Sequence, residues 1–129
     1  MLHEALLAAE KLAAGGFSLR VVNMPWLNRV DPAWLAAVVR DMPMIFVLED
    51  HAPTGGLRDH LLPVLVGHGL LPAGGVQQFA VEGYPACGTP SEALRFHRLD
   101  GASLARRIVD YADGLHGSPP SGVLSPPPG

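Results

Sequence analysis

The chain has a single cysteine, Cys87, among its 129 residues, which excludes an intrachain disulfide, and no Cys/His spacing of the zinc-binding kind accompanies it. Charge is also sparse. Charged residues make up 16% and the net charge is −3, leaving no basic surplus with which to hold nucleic acid or another polyanion. No apolar run approaches the ~20 residues of a membrane-spanning helix. The opening MLHEALLAAEKLAAGG carries Glu4, Glu10 and Lys11 and lacks the basic start and unbroken apolar segment of a secretory leader. These absences predict a cytoplasmic protein. What remains is 48% hydrophobic over the length of one domain, and a chain of this size buries about two thirds of its unfolded surface.

Periodicity and punctuation lay out the elements. Leu2, Leu6, Ala9 and Ala13 fall at helical spacing and Gly15-Gly16 follows, so a helix is expected over Leu2 to about Ala14. Leu19 to Met24 is short, β-branched and closed by Pro25, the signature of a strand in a buried sheet. Asp31 can cap a second helix, about Pro32 to Arg40, with Pro32 at the position where a missing N–H costs nothing. Trp34, Leu35 and Val38 are its expected core residues. Met44 to Leu48 reads as a strand, and Gly56 to about Val66 as a helix that Pro63 should kink or interrupt. Val76 to Val81 reads as a further strand. Thr89-Pro90-Ser91-Glu92 has capping-box spacing, and Asp100 precedes a last helix, about Ala102 to Ala112, with Leu104, Ile108 and Tyr111 inward. From Gly114 onward the chain is Pro, Gly and Ser with little to bury, and disorder is expected over 114–129. The alternation implies an α/β fold, three layers around a mostly parallel sheet, over residues 1–113.

Chemistry-bearing residues gather in IFVLEDHAPTGGLRDHL, Ile45 to Leu61. Glu49, Asp50 and His51 stand at the carboxyl end of a strand, where α/β sheets tend to place ligands. A carboxylate beside an imidazole can exchange protons, yet the same residues serve equally as a strand end, a turn and a contact surface. Contact surface is the expected role. Thr54, Gly55 and Gly56 could offer helix N-terminal N–H groups to an anion, although two glycines suit a tight turn without any ligand. His60 and His68 are separated by Pro63 and Gly67, and Cys87 has no base at a recognisable spacing. Neither is expected to carry chemistry. Arg95, His97 and Arg98 form a small basic cluster expected to be a solvated face. Trp34 is expected in the core and Trp26, in a loop, is a candidate interface anchor.

Three stretches, HEALLAAEKLAAGGFSLRVVNMPWLNRVDPAWL, IFVLEDHAPTGGLRDHLLPVL and CGTPSEALRFHRLDGASLARRI, together resemble the C-terminal domain of transketolases. The resemblance is strongest to the short, split members and to the related deoxyxylulose-phosphate synthases and 2-oxoacid dehydrogenase subunits, and covers roughly residues 2–113. It implies a separately encoded C-terminal subunit, not active alone, that supports assembly for two-carbon ketol transfer between sugars. Other subunits of a split enzyme would be its partners in a hetero-oligomer. Thiamine diphosphate and magnesium would belong to the assembled enzyme, because the family's Gly-Asp-Gly motif and activating glutamate lie in other domains and no Gly-Asp-Gly occurs here. No catalytic, cofactor or metal residue is therefore assigned. Glu49, Asp50, His51, Thr54, Gly55, Gly56 and Trp26 become candidates for a subunit contact or the rim of a substrate channel.

The resemblance also implies a departure: the family places a central strand before the helix that corresponds to Leu2–Ala14, and this sequence has none there. The strand could be donated by another polypeptide, truncated, or compensated by closure of the sheet; donation or a direct seam with a partner is the expectation. The rival reading is a free-standing module of the same fold that binds a small anion near His51 and Gly55-Gly56. A docking subunit like those of oxoacid dehydrogenases is a third reading that no residue favours.

Overall fold

The computed structural model describes the backbone of residues 1–116 and the side chains of residues 1–114. Its elements in chain order are α1 (Leu2–Ala14), α2 (Pro32–Val39), β1 (Ile45–Leu48), α3 (Leu57–Gly67), β2 (Val76–Phe79), α4 (Pro90–Phe96) and α5 (Gly101–His116). β1 and β2 pair in parallel, Ile45 opposite Val76 through Leu48 opposite Phe79. Successive residues of a strand face opposite ways, and here each face meets its own layer of helices. Phe46, Leu48 and Phe79 join Ala8 and Leu12 of α1 and Leu104, Ala105 and Ile108 of α5. Ile45, Val47 and Val76 join Leu35 of α2 and Leu61 and Leu65 of α3. The expected α/β architecture with a parallel sheet between two helical layers is the one observed.

Local signals explain most of the element ends. Asp31 accepts from the Trp34 N–H at 2.8 Å, and Thr89 and Glu92 form a reciprocal capping box at the start of α4, each satisfying N–H groups that a helix leaves free. Gly16 takes φ +85° after α1, a conformation that favours glycine. α3 runs unbroken through Pro63, so of the expected kink or interruption the interruption does not occur. Buried Leu61 and Leu65 flank the proline and hold the helix to the core, and Pro63 and Asp59 lie on the exposed face, where water can take the carbonyl that loses its partner.

The inward face of α1 is Ala5, Ala8 and Leu12, while Leu2 and Leu6 remain 45% and 48% exposed. The cause is close packing against α5: a β-carbon on Gly101 would lie 2.6 Å from that of Leu7 and 3.3 Å from the Ala8 nitrogen, so small residues line the seam. Glu4 reinforces it by accepting the Gly101 N–H at 2.6 Å, a carboxylate at the positive end of α5. In α5 itself the expected stripe holds, with Leu104 and Ile108 buried and Tyr111 half-buried. That helix continues through Gly114 to His116, past the expected end at Ala112. The remainder of the tail expected to be disordered lies outside the described residues.

A correction concerns Leu19–Met24, expected as a strand. Residues 17–24 run without turn or bend, but among the described residues no ladder joins them to β1, and the sheet has two strands. The segment is held instead by contacts at its ends and sides: the Phe17 N–H donates to the Leu12 carbonyl at 3.0 Å, and the Arg20 guanidinium to the Val38 carbonyl at 2.6 Å. The sheet has not closed up over the position between them.

Candidate functional site at the carboxyl end of β1

Glu49 follows β1 directly and is buried, with 4% of its surface exposed. A buried carboxylate requires hydrogen-bonding partners, and three groups supply them. The Leu57 N–H at the start of α3 donates to Oε1, the Gln78 side-chain amide donates to Oε2, and His51 Nε2 lies 3.3 Å from Oε1. Gln78 also donates to the Pro53 carbonyl at 3.0 Å, so one side chain of β2 braces both Glu49 and the turn. The imidazole of His51 is 45% exposed, and its Nδ1 lies 2.7 Å from the Ala52 carbonyl.

Gly56 makes this packing feasible. A β-carbon there would fall inside contact distance of the Glu49 carboxylate and the His51 ring, 2.7 Å from Nε2. Gly55 takes φ +78° and donates its N–H to Asp59 at 2.5 Å. Thus Glu49, His51 and Gly56 are brought together. Asp50 and Thr54 stand exposed beside them, and Trp26 lies in the loop before α2, 65% exposed. The helix N-terminus is capped from within: Gly55 and Leu57 give their N–H groups to carboxylates of this chain, whose negative charge opposes an incoming anion.

The other candidates separate. His60, His68 and Cys87 are exposed, and among the described residues no three His, Cys, Asp or Glu side chains gather as a metal-binding group. Arg95 and Arg98 are solvent-facing, whereas His97 is half-buried and its Nε2 accepts the Ala86 N–H at 3.0 Å. His97 therefore anchors the loop before α4.

Beside the Glu49 cluster opens an apolar groove of about 840 Å³ that sequence reasoning missed. β1 forms one bank and residues 17–24 the other. Ala5, Leu12 and Ile108 close it from the α1/α5 layer, Leu35 and Leu61 from the α2/α3 layer, and Glu49, Asp50 and His51 stand at its rim. Trp34, expected in the core, is 41% exposed and lines this groove, because α2 turns only Leu35 fully inward. No single-residue signal announces such a space, which exists only where two distant segments fail to meet.

Comparison with known proteins places the fold. The family described as "Transketolase, C-terminal domain" matches residues 1–104. The chain belongs to this family. Transketolase-like protein 1 of Bos taurus is 35% identical over 94 residues, 72% of this chain and 15% of that protein. A transketolase C-terminal section of Methanocaldococcus jannaschii is 29% identical over 110 residues, covering 83% of this chain and 33% of the relative. A subunit of the apulose-4-phosphate transketolase of Actinobacillus succinogenes is 29% identical over 114 residues, 88% of this chain and 35% of that relative. The chain thus spans about a seventh to a third of the length of these relatives. Among its described residues no helix is long and apolar enough to cross a membrane.

Proposed function

We propose that this chain is a C-terminal subunit of a split, transketolase-like enzyme of the cytoplasm and supports assembly for two-carbon ketol transfer between sugars. The observation that carries the reading is the family match along residues 1–104, joined to relatives named as a transketolase C-terminal section and as one subunit of a transketolase. The sequence contains no Gly-Asp-Gly. The thiamine diphosphate site and the chemistry belong to the partner in this reading, and Glu49, Asp50, His51, Thr54, Gly55, Gly56 and Trp26 contribute contact surface or the rim of a substrate channel. The Asp59 and Glu49 carboxylates that accept the Gly55 and Leu57 N–H groups argue against the anion-binding module, because their charge opposes an anion there.

The test is ketol transfer, with thiamine diphosphate and magnesium, by this chain alone and after co-expression with the product of the adjacent reading frame. Activity confined to the co-purified complex supports the subunit role. A partner that is equally active without this chain, together with no complex between them, refutes it.

A further inference from the structure

Two arginines meet at the turn that joins α4 to α5. α4 closes with the hydrogen bonds of a Schellman turn: the Arg98 N–H donates to the Arg95 carbonyl at 3.1 Å and the Leu99 N–H to the Leu94 carbonyl at 2.8 Å. Such a turn needs one residue in the left-handed conformation, and Arg98 supplies it with φ +58°. Glycine ordinarily takes this position, because a β-carbon is disfavoured there. The backbone therefore gives no reason for an arginine, whose side chain is exposed. An unfavourable conformation held at one residue points to a use for its side chain.

Arg107 of α5 meets the same turn. Its guanidinium carbon stands 4.1 Å from the centre of the Phe79 ring, over its face, and its Nη1 donates to the Arg98 carbonyl at 3.2 Å. The side chain is half-buried. Burial holds it below the ordinary arginine value of 12.5, the neighbouring charge of Arg98 adds to that effect, and Glu82 opposes it. A guanidinium stays charged at neutral pH all the same, with five N–H donors to place. Arg107 makes only the bond to Arg98 among the described residues, and no arginine there has a carboxylate within salt-bridge distance. Two neighbouring cations, one of them drawn partly out of water, thus stand without a close counter-ion.

We propose that Arg98 and Arg107 together bind a phosphate group, either the inorganic ion or the phosphate of a small monoester. Phosphate carries about −1.5 to −2 charges at neutral pH and accepts paired N–H bonds from guanidinium groups, so one ion offsets the repulsion between both cations. A chloride or a single carboxylate brings half that charge. The net charge of −3 over the whole chain works against a longer polyanion, which would meet more than this one turn. The site shares no residue with the Glu49 turn and does not rest on the subunit reading.

The experiment titrates the full-length chain with inorganic phosphate at neutral pH, replacing chloride at constant ionic strength, and follows the backbone and arginine N–H resonances. Saturating shifts are expected at Arg98, Leu99 and Arg107. Arg98→Gly should weaken binding by about tenfold or more, the usual consequence of losing a hydrogen bond to a charged group. The same variant should raise the urea midpoint, because glycine suits the left-handed turn. Glu82→Gln, which removes the charge opposing the anion, should tighten binding, and Arg29→Gln, an exposed residue of the loop before α2, should leave it unchanged. Shifts that grow without saturating, or equal losses for Arg98→Gly and Arg29→Gln, would mean general screening and overturn the site. An Arg98→Gly variant that unfolds more easily while binding phosphate as before would assign Arg98 to the fold and overturn it as well. A pentose phosphate separates the two sources, and both results support the site: tighter binding than inorganic phosphate makes the ligand a phosphorylated sugar, and equal binding makes it the ion itself.

Discussion

Gly101 and Leu7 stand so close that a β-carbon on the glycine would lie 2.6 Å from that of the leucine. This approach, with the Glu4 carboxylate accepting the Gly101 N–H, fixes how α1 lies on α5. Gly101→Ala should therefore destabilise the chain by about 1–3 kcal/mol, the usual cost of overpacking, even though alanine is the better helix former by about 1 kcal/mol. Urea unfolding of the variant would read the sign directly. An unchanged or raised midpoint would mean that the two helices separate freely.

The Glu49 cluster makes a second case. Glu49→Ala leaves the Gln78 amide and the Leu57 N–H without their acceptor, at about 1–3 kcal/mol for each buried group. His51, nearly half exposed, should matter far less: His51→Ala is expected to cost under about 1 kcal/mol, as for exposed ion pairs. Equal losses for the two variants in thermal unfolding would show that the imidazole organises the turn as much as the carboxylate does.

Gly56→Ala tests the same turn from the backbone side. The new methyl group would occupy the space held by the Glu49 carboxylate and the His51 ring, so one or both must move, at about 1–3 kcal/mol. Combining it with Glu49→Ala should give less than the sum of the single losses, because residues in contact are not additive. Strict additivity in the double-mutant cycle would deny the contact.

What could be read from the residues depended on how local the determining interaction is. The Thr89–Glu92 capping box and the Asp31 cap span three residues and were legible, as was the Leu104–Ile108 stripe. The inward face of α1 was not legible because alanines at 5 and 8 carry little hydrophobic signal; the seam is chosen by Gly101, far along the chain. Glu49 and His51 stood out in the sequence, whereas Gln78, 29 residues beyond Glu49, became a partner only through the β1–β2 register. Leu19–Met24 has strand-forming composition, but a strand needs a neighbour, and its composition carries no information about who supplies one.

Acid should weaken two helix starts. The Thr89 hydroxyl and N–H bonds hold the Glu92 carboxyl below its ordinary value of 4.5. At Asp100 burial pushes upward, but hydrogen bonds from Ser103 and the neighbouring backbone outweigh it and leave the carboxyl below its ordinary 3.8. A carboxyl lowered in the folded state adds stability that is complete above its unfolded value and is lost as pH falls through its folded value. The deficit of Asp100→Asn should accordingly be constant near neutral pH and shrink as pH falls below 3.8. A deficit that persists there would indicate lost packing instead of lost charge.

The open groove also predicts a behaviour of the isolated chain that does not depend on which polypeptide fills it. Leu19, Val21, Leu35 and Phe46 line a space of about 840 Å³, while the domain around it keeps fixed side-chain contacts such as the stacked Phe46 and Phe79 rings. Hydrophobic dyes such as ANS bind exposed apolar surface, most familiarly in molten globules, which have lost their near-ultraviolet circular dichroism. Here the two properties should separate: the isolated chain should bind dye and yet keep a near-ultraviolet signal from its packed aromatics. Val21→Glu should cut dye fluorescence several-fold by placing a charge in the cleft, with the dichroism unchanged. Dye binding accompanied by a flat near-ultraviolet spectrum would mean that the two helical layers do not hold their positions around an empty slot, and that this domain acquires fixed packing only when the sheet is completed.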